Sequence, residues 1–373
     1  MSRRFSHLLI VLAIVTGMRC DLHADDPDTE AAFATASREL QAFDDQHRRV
    51  CDKTRVPIHY LSWVDEGTPL VLLHGTYSSA HDFARFAPRL VRAGYRPLAV
   101  DWYGHGQTPL PDHPVTARDF ADDLKQLLDE LGIQRAVIAG HSRGGTLGSA
   151  FYAAWPDRVA GLVLVDGGST CMANYFASLD DEELNAWMQA AFDPETQQPL
   201  APSYASREAL FAAAWKRFGK PEDPVEMFDI LSQCGQNNDG RWTQWRQALR
   251  RWLHQDNLSN TFEGMRRPQH APPFFRSTVL FEPMKAFESL DVPVVILDAT
   301  GHDTAYRDTT PREENERLSK RHPHWIEHVQ VPTGHFVHRE APDVFVDSLV
   351  TLRKRLQTDV LQHADGSPHP SVP

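Results

Sequence analysis

The sequence predicts an open, mostly parallel β-sheet with helices on both faces. Short apolar runs such as residues 70–73 and 136–139 end at glycine or polar residues, as buried parallel strands do. Amphipathic helical patterns alternate with these runs along the chain, the clearest at residues 116–131. Neighbouring parallel strands need a crossover connection, which a helix supplies. We therefore expect an α/β fold.

The elements of this predicted core follow one another along the chain. The best-defined helix is 116–131, because its apolar residues share one face and because Thr116 and Asp119 stand at the spacing of a capping box. The other elements show shorter patterns. They are strands at 70–73, 97–100, 136–139, 162–165, 294–297 and 326–331, and helices at 79–92, 144–154 and beyond Pro311 and Pro342.

The first 24 residues are predicted to be a signal peptide. Two arginines precede an apolar run at 8–15, and Ala24 offers a small residue for cleavage. A retained N-terminal anchor is the weaker alternative, because the run is short for a bilayer span. We therefore expect a secreted or periplasmic protein with no integral membrane span in its mature chain. Residues 25–49 are interpreted as a leader to the folded domain.

A long insertion separates the predicted strand 162–165 from the next predicted strand, 294–297. Residues 169–290 far exceed an ordinary connection between a strand and a helix, so they are predicted to form a large cap. The core is then 50–168 together with 291–357, and 358–373 is a predicted flexible tail. Helical spacing in the cap occurs at 180–192, 206–218, 224–234 and 241–253.

Charge and cysteine content exclude several classes of protein. The chain has 38 Lys and Arg against 50 Asp and Glu, a net charge of −12, so a nucleic-acid partner is not expected. No closely spaced cysteine pair indicates structural zinc, and we predict neither a metal nor a cofactor. After export and loss of Cys20, the predicted disulfide joins Cys171 to Cys234 and leaves Cys51 free.

Residues 140–144 have the sequence Gly-His-Ser-Arg-Gly, which fits the G-x-S-x-G pattern. The motif stands directly between a predicted strand and a predicted helix. A sharp turn there requires small flanking residues and projects the serine hydroxyl from the sheet, while the helix N-terminus supplies N–H groups to a developing negative charge. The sequence therefore predicts that Ser142 is a nucleophile.

Four stretches of the chain together resemble the α/β-hydrolase family. The resemblance covers roughly residues 50–168 and 290–355 and implies the α/β-hydrolase fold with the cap inserted after its sixth strand. The matching stretches are Val-Leu-Leu-His-Gly-Thr at 71–76, Asp-Trp-Tyr-Gly-His-Gly-Gln-Thr at 101–108, Gly-His-Ser-Arg-Gly-Gly at 140–145 and Gly-His-Phe at 334–336.

The resemblance also assigns roles to residues around the serine. It places the oxyanion hole at the backbone N–H groups of Thr76 and Arg143. His74 and Asp101 are interpreted as residues that support loops. His335, directly after the predicted strand 326–331, matches the base of the family in motif and order. The neighbouring histidines are interpreted as solvated loop residues rather than a metal cluster: His322, His324, His328 and His338.

The acid that orients the base has several candidates in the sequence. The family usually places it in the loop after the strand 294–297, and counting from that strand favours Asp303. Asp298 and Asp308 lie in the same region. Asp166, at the end of the sixth strand, is the position that some family members use. We favour Asp303 and keep the other three as alternatives.

These residues predict hydrolysis of a carboxylic ester through an acyl-enzyme on Ser142. A serine at this position excludes relatives of the same fold that use an aspartate nucleophile. Lactonase or aminopeptidase activity on the same triad, and a noncatalytic binding protein of this fold, are the alternatives. The many tryptophans of the cap, among them Trp242 and Trp245, indicate a small apolar or aromatic ester as substrate.

Overall fold

An eight-stranded sheet forms the centre of the computed structural model, which describes residues 27–76, 78–174, 204–217, 227, 231–232, 234–236, 240–243, 273–301 and 310–364. The pairings of the first three strands at one edge are antiparallel, and the others are parallel. In spatial order the strands are β1 (Arg48–Cys51), β2 (Ile58–Ser62), β4 (Tyr95–Val100), β3 (Thr68–Leu73), β5 (Ala136–His141), β6 (Val159–Val165), β9 (Val294–Ala299) and β10 (Ile326–Val331).

The helices connect and cover these strands. A further pair of short antiparallel strands, β7 (Gly235–Gln236) and β8 (Trp242–Thr243), lies within the predicted cap. The helices are α1 (Pro27–His47), α2 (Ala87–Arg92), α3 (Ala117–Glu130), α4 (Arg143–Ala154), α5 (Arg207–Arg217), α6 (Pro273–Val279), α7 (Pro283–Ala286), α8 (Thr310–Arg321), α9 (Val337–Glu340) and α10 (Pro342–Ala364).

The two faces of the sheet carry separate apolar cores, because alternate residues of a strand point to opposite faces. Leu73 of β3 packs on the face covered by α3 and α4, where Phe120 and Phe151 are buried. Leu72 packs on the other face, together with Leu90 of α2 and with Phe345 and Leu349 of α10. The predicted mostly parallel sheet with helices on both faces is therefore confirmed.

Local signals predicted α3 well and the segment before it less well. Thr116 and Asp119 form the predicted capping box, in which the Thr116 side chain accepts from the Asp119 backbone N–H. The predicted helix 79–92 is instead a short 3₁₀ helix, Ala80–Phe83, followed by α2. Pro88 lies in the first turn of α2, where its missing N–H costs nothing, but it could not continue a helix from upstream.

The segment interpreted as a leader contains a 21-residue helix that packs on the cap. Ala32, Ala36 and Leu40 share one face of α1 and are buried against α5. The Phe33 ring meets the Phe211 ring edge to face at 5.5 Å between centroids. Helix α1 therefore contributes to the folded structure rather than only preceding it.

The cap predictions are tested only in part. Helix α5 confirms the predicted helix 206–218, whereas the predicted helix 241–253 is wrong at its start, because Trp242–Thr243 forms β8. Backbone hydrogen bonds between Trp242 and Tyr204 draw this segment into extended conformation. At the C-terminus α10 runs to Ala364, beyond the predicted end of the core. Predictions outside the described residues are the signal peptide at 1–24, the helix 180–192 and the role of Trp245.

The predicted disulfide is wrong, because no disulfide joins Cys171 to Cys234 or either of them to Cys51. Cys171 lies near the end of β6, where its Sγ contacts the Val279 carbonyl oxygen at 3.5 Å. Cys234 is buried in the cluster between α1 and α5. The two thiols therefore belong to different packing environments, which their positions in the sequence did not reveal.

None of the described helices is both long enough and apolar enough to cross a membrane.

Candidate active site

Ser142 occupies a strained turn between β5 and α4. Its φ of 53° and ψ of −119° lie in a region that residues with a side chain rarely adopt. The turn is fixed at the adjacent strand, where the Ser142 backbone N–H donates to the Val165 carbonyl oxygen at 2.8 Å. The predicted strand, turn and helix around the serine are therefore present.

The glycines of the motif are required by close backbone contacts. A Cβ on Gly144 would lie 2.1 Å from the Leu73 carbonyl oxygen, and one on Gly140 would lie 2.3 Å from the Gly144 carbonyl oxygen. Both distances are far below a normal contact, so a larger residue would separate α4 from β3. This packing holds the N-terminus of α4 directly behind the serine.

His335 lies beside this turn and contacts a buried carboxylate. Its Nδ1 and the Asp166 Oδ2 are 2.5 Å apart, and Asp166 is 1% exposed. The other oxygen of Asp166 accepts from the Ala299 backbone N–H at 3.2 Å. Asp166 itself has a φ of 47°, so strained backbone at the end of β6 aims this carboxylate. The arrangement fixes the proton of His335 on Nδ1 and leaves Nε2 to accept one.

Among the described residues, the carboxylate that contacts His335 Nδ1 is Asp166, which the sequence had left as an alternative for the acid. An imidazole Nδ1 donates one hydrogen bond, and Asp166 accepts it. Asp298 serves elsewhere, since it accepts from Asn315 at 2.9 Å and from His328 at 2.6 Å. The favoured Asp303 and the alternative Asp308 both lie outside the described residues.

Thr76 and Arg143, the predicted oxyanion donors, lie on the two segments that flank Ser142 and are joined through their side chains. Arg143 Nε donates to the Thr76 Oγ1 at 3.0 Å, and another guanidinium nitrogen donates to Thr278 Oγ1 on α6. The guanidinium carbon also lies 5.0 Å from the centroid of the Phe275 ring. Arg143 therefore connects the loop after β3 with α6, which follows the cap insertion.

His74 and Asp101 support loops, as the sequence indicated. Asp101 accepts from the backbone N–H groups of Ala80 at 2.7 Å and Gln107 at 2.8 Å. The Trp102 indole N–H donates to the His74 carbonyl oxygen at 2.9 Å, and the two rings stack. These contacts hold the loop that carries Thr76 without placing either residue against the serine.

The interpretation of the neighbouring histidines as solvated is correct for His324 and wrong for two others. His324 is exposed, but His328 is largely buried against Asp298 and His338 is fully buried. The His338 Nε2 donates to the Asp82 Oδ2 at 3.1 Å. Helix α9 begins directly after the His335 loop and turns His338 into the core, which no local signal in the sequence indicated.

Among the described side chains, Asp82, His141 and His338 have ligand-type atoms within 4.8 Å of one another. Arg339 already donates to the Asp82 Oδ1 at 2.5 Å. Burial alone would raise the pKa of Asp82, but Arg339 and His338 outweigh it and hold the pKa well below its ordinary value. Because the guanidinium neutralises this carboxylate, the group fits an ion pair better than a metal site.

Stability should fall as the pH drops below about 6.5, the ordinary histidine pKa. Burial lowers the pKa of His74 and of His141 in the folded protein. Below the unfolded pKa the unfolded chain therefore binds more protons, and each group removes up to about 1.4 kcal/mol of stability per pH unit until its folded pKa is reached. Stability from these two groups is fully present above that range.

Urea unfolding at a series of pH values from 5 to 8 measures this dependence. We expect the His141→Gln variant to show a shallower loss of unfolding free energy on acidification than the wild type. His324→Gln is the matched control, because it makes the same substitution at an exposed histidine outside the core. Equal slopes for the wild type and His141→Gln would contradict the assignment.

Comparisons with known proteins show which family the chain belongs to. The chain matches the sequence profile of the alpha/beta hydrolase family over residues 70–348. A 2-hydroxy-6-oxononadienedioate/2-hydroxy-6-oxononatrienedioate hydrolase of Klebsiella pneumoniae is 37% identical over 120 residues, which are 31% of this chain and 42% of the relative. An sn-1-specific diacylglycerol lipase of Danio rerio is 39% identical over 103 residues, 27% of this chain and 32% of the relative. The chain thus spans less than half the length of these relatives.

A solved structure shows the likeness over a longer range. The crystal structure of E-2-(acetamidomethylene)succinate hydrolase covers 82% of this chain and 98% of its own, with a TM-score of 0.57 and 19% sequence identity. At that identity the likeness concerns the fold alone. The matched profile, residues 70–348, includes the turn at Ser142 and the loop of His335, whereas β1 and β2 precede it.

Proposed function

Because the chain belongs to the alpha/beta hydrolase family, we propose that it is a hydrolase and that it cleaves a carboxylic ester through an acyl-enzyme on Ser142. The observation that carries the proposal is the strained serine turn beside the pair formed by His335 and the buried Asp166. A serine hydroxyl is a weak nucleophile until a base takes its proton, and this pair supplies the base in the correct tautomer.

The proposed reaction has two steps. In the first, Ser142 attacks the carbonyl carbon while His335 Nε2 takes the hydroxyl proton, and the same proton then passes to the departing alcohol. The backbone N–H groups of Thr76 and Arg143 stabilise the negative oxygen of the tetrahedral intermediate. In the second step, His335 takes a proton from a water molecule as its oxygen attacks the acyl carbon, and His335 then returns that proton to Ser142 Oγ as the bond to the serine breaks and the acid leaves.

The substrate is proposed to be a small ester with an apolar or aromatic group. Helix α6 supports this, since it brings the buried Phe275 to the Arg143 side chain next to the oxyanion segments. Secretion or export to the periplasm is a further part of the proposal. The proposal of export rests on the signal-peptide pattern of the first 24 residues. The first described helix, α1, begins at Pro27, after the predicted cleavage site at Ala24.

The relative from Klebsiella pneumoniae favours a second candidate, hydrolysis of an unsaturated oxo-dicarboxylate. The same three side chains would serve that substrate, because they act on a carbonyl group in either case. A noncatalytic binding protein is the alternative from another class. A binding protein would gain nothing from a strained serine next to an oriented imidazole.

Labelling with a fluorophosphonate tests the proposal. We expect one equivalent of probe on the wild-type protein, located at Ser142 by peptide mapping, and none on a folded Ser142→Ala variant. Hydrolysis of p-nitrophenyl esters, compared with a 2-hydroxy-6-oxo-dienedioate, then separates the two substrate classes. A folded wild-type protein that neither reacts with the probe nor hydrolyses either substrate would support the noncatalytic alternative.

A further inference from the structure

His141, the residue before the serine, lies between the two loops that Ser142 needs. Its Nε2 donates to the carbonyl oxygen of His335 at 2.9 Å. Its Nδ1 faces the loop after β3, where a Cβ on Gly75 would lie only 2.7 Å away. His141 is 2% exposed, so neither edge of the ring is open to solvent. One buried imidazole thus separates the oxyanion loop from the loop of the base.

The His141 ring also packs against a second buried histidine, His338. The His338 ring lies 4.6 Å from the His141 ring between centroids, and His338 in turn donates to Asp82 at 3.1 Å. Arg339 completes the ion pair with Asp82 at 2.5 Å. Both His338 and Asp82 are fully buried, so His141 cannot shift without disturbing an enclosed, charge-balanced group.

His141 is held in the neutral form, with its single N–H directed at the His335 carbonyl oxygen. Burial lowers the pKa of His141 well below its ordinary value, and His338 and His335 lower it further. The ring therefore stays neutral while it donates from Nε2, which leaves Nδ1 without a proton. Among the described residues this Nδ1 has no hydrogen-bond partner, in agreement with its close packing against Gly75, which forgoes a side chain there.

We propose that His141 is a positioning residue, which holds the backbone of His335 by its Nε2–H while its opposite edge sets the distance to the oxyanion loop. It touches no reacting atom and acts through His335. The inference rests on the proposed function for its kinetic consequence, but the geometry of His335 can be measured without turnover. A misplacement of the base by about 1 Å can cost about 100-fold in rate, which sets the scale of the expected effect.

Three variants separate the hydrogen bond from the volume of the ring. His141→Phe keeps a ring without the donor, His141→Gln keeps an N–H near the position of Nε2, and His141→Ala removes both. We expect kcat for a p-nitrophenyl ester to fall about 10- to 100-fold in the Phe and Ala variants, with KM changed by less than about threefold. The Gln variant should retain most of the wild-type kcat. Should the Phe variant fail to fold, the Ala variant tests the ring and its hydrogen bond together, and a wild-type kcat in folded His141→Ala would overturn the inference.

Proton NMR provides the readout that does not need activity. The Nδ1–H of His335, held by Asp166, should give a downfield signal that disappears in His335→Gln, which identifies it. We expect His141→Phe to shift or broaden this signal and His141→Gln to preserve it. If the wild type hydrolyses nothing but the signal responds in this way, the proposed function fails and the positioning role stands. Wild-type kcat and an unchanged signal in a folded Phe variant, or equal losses in Phe and Gln, would overturn the inference.

Discussion

Replacing Ser142 with alanine should reduce ester hydrolysis by at least about three orders of magnitude while the protein stays folded. The variant removes the only atom that forms the acyl-enzyme in the proposed reaction. Alanine keeps the Cβ, so the strain at a φ of 53° is the same in both proteins. Any residual rate would come from substrate binding and from the N–H groups of the oxyanion segments. Steady-state kinetics and thermal unfolding measured on the same samples check both parts.

Two further serine variants make this result specific. Ser149 is buried on α4, the helix that begins directly after Ser142, and it donates to the Gly168 carbonyl oxygen at 2.7 Å. Ser149→Ala should therefore lower the unfolding free energy by about 1 kcal/mol and change the activity little. Ser142→Gly should be as inactive as Ser142→Ala and at least as stable, because glycine adopts the positive φ without strain. Near-normal turnover in a folded Ser142→Ala protein would remove the nucleophile from the mechanism.

The sequence was sufficient to predict the strand, turn and helix around Ser142, because every requirement of that turn is local. A strand, a turn with two glycines and a helix follow one another within a few residues, and the contacts of Gly144 show why glycine is needed there. His335 could be predicted for a similar reason, since it follows the last strand directly. The alternation of apolar runs and amphipathic helices likewise predicted the sheet and its two covered faces.

Features that depend on distances across the fold could not be predicted in this way. A carboxylate that supports His335 can come from any loop at the same edge of the sheet, so Asp166 and Asp303 could not be separated by counting residues. The pairing of Cys171 with Cys234 failed because sequence separation says nothing about the distance between two thiols. The burial of His338 arises from the direction in which α9 leaves the loop, which is also a property of the packed fold.

Replacing Asp166 with asparagine should lower kcat about 100- to 10,000-fold, since it places His335 in the wrong tautomer. The Ala299 backbone N–H needs an acceptor at this position, so the asparagine oxygen should remain there at about the present 3.2 Å. The amide NH₂ then faces His335 Nδ1 and donates to it. The imidazole proton moves to Nε2, which can no longer accept the proton of Ser142. Asparagine also tolerates the positive φ of 47°, so the backbone should keep its course.

To identify the acid that orients His335, kcat and the unfolding free energy are measured for three variants. They are Asp166→Asn, Asp303→Asn and Asp298→Asn. Asp298 is the matched control, because it is also a buried carboxylate paired with a histidine, 2.6 Å from the His328 Nε2, yet it lies away from Ser142. We expect Asp298→Asn to lower the unfolding free energy and to spare kcat, and Asp303→Asn to change neither strongly. A large loss of kcat in Asp303→Asn together with a nearly normal Asp166→Asn would transfer the role to Asp303. In that case the contact between Asp166 and His335 would be a structural one, and the sequence-based preference for the loop after β9 would be correct.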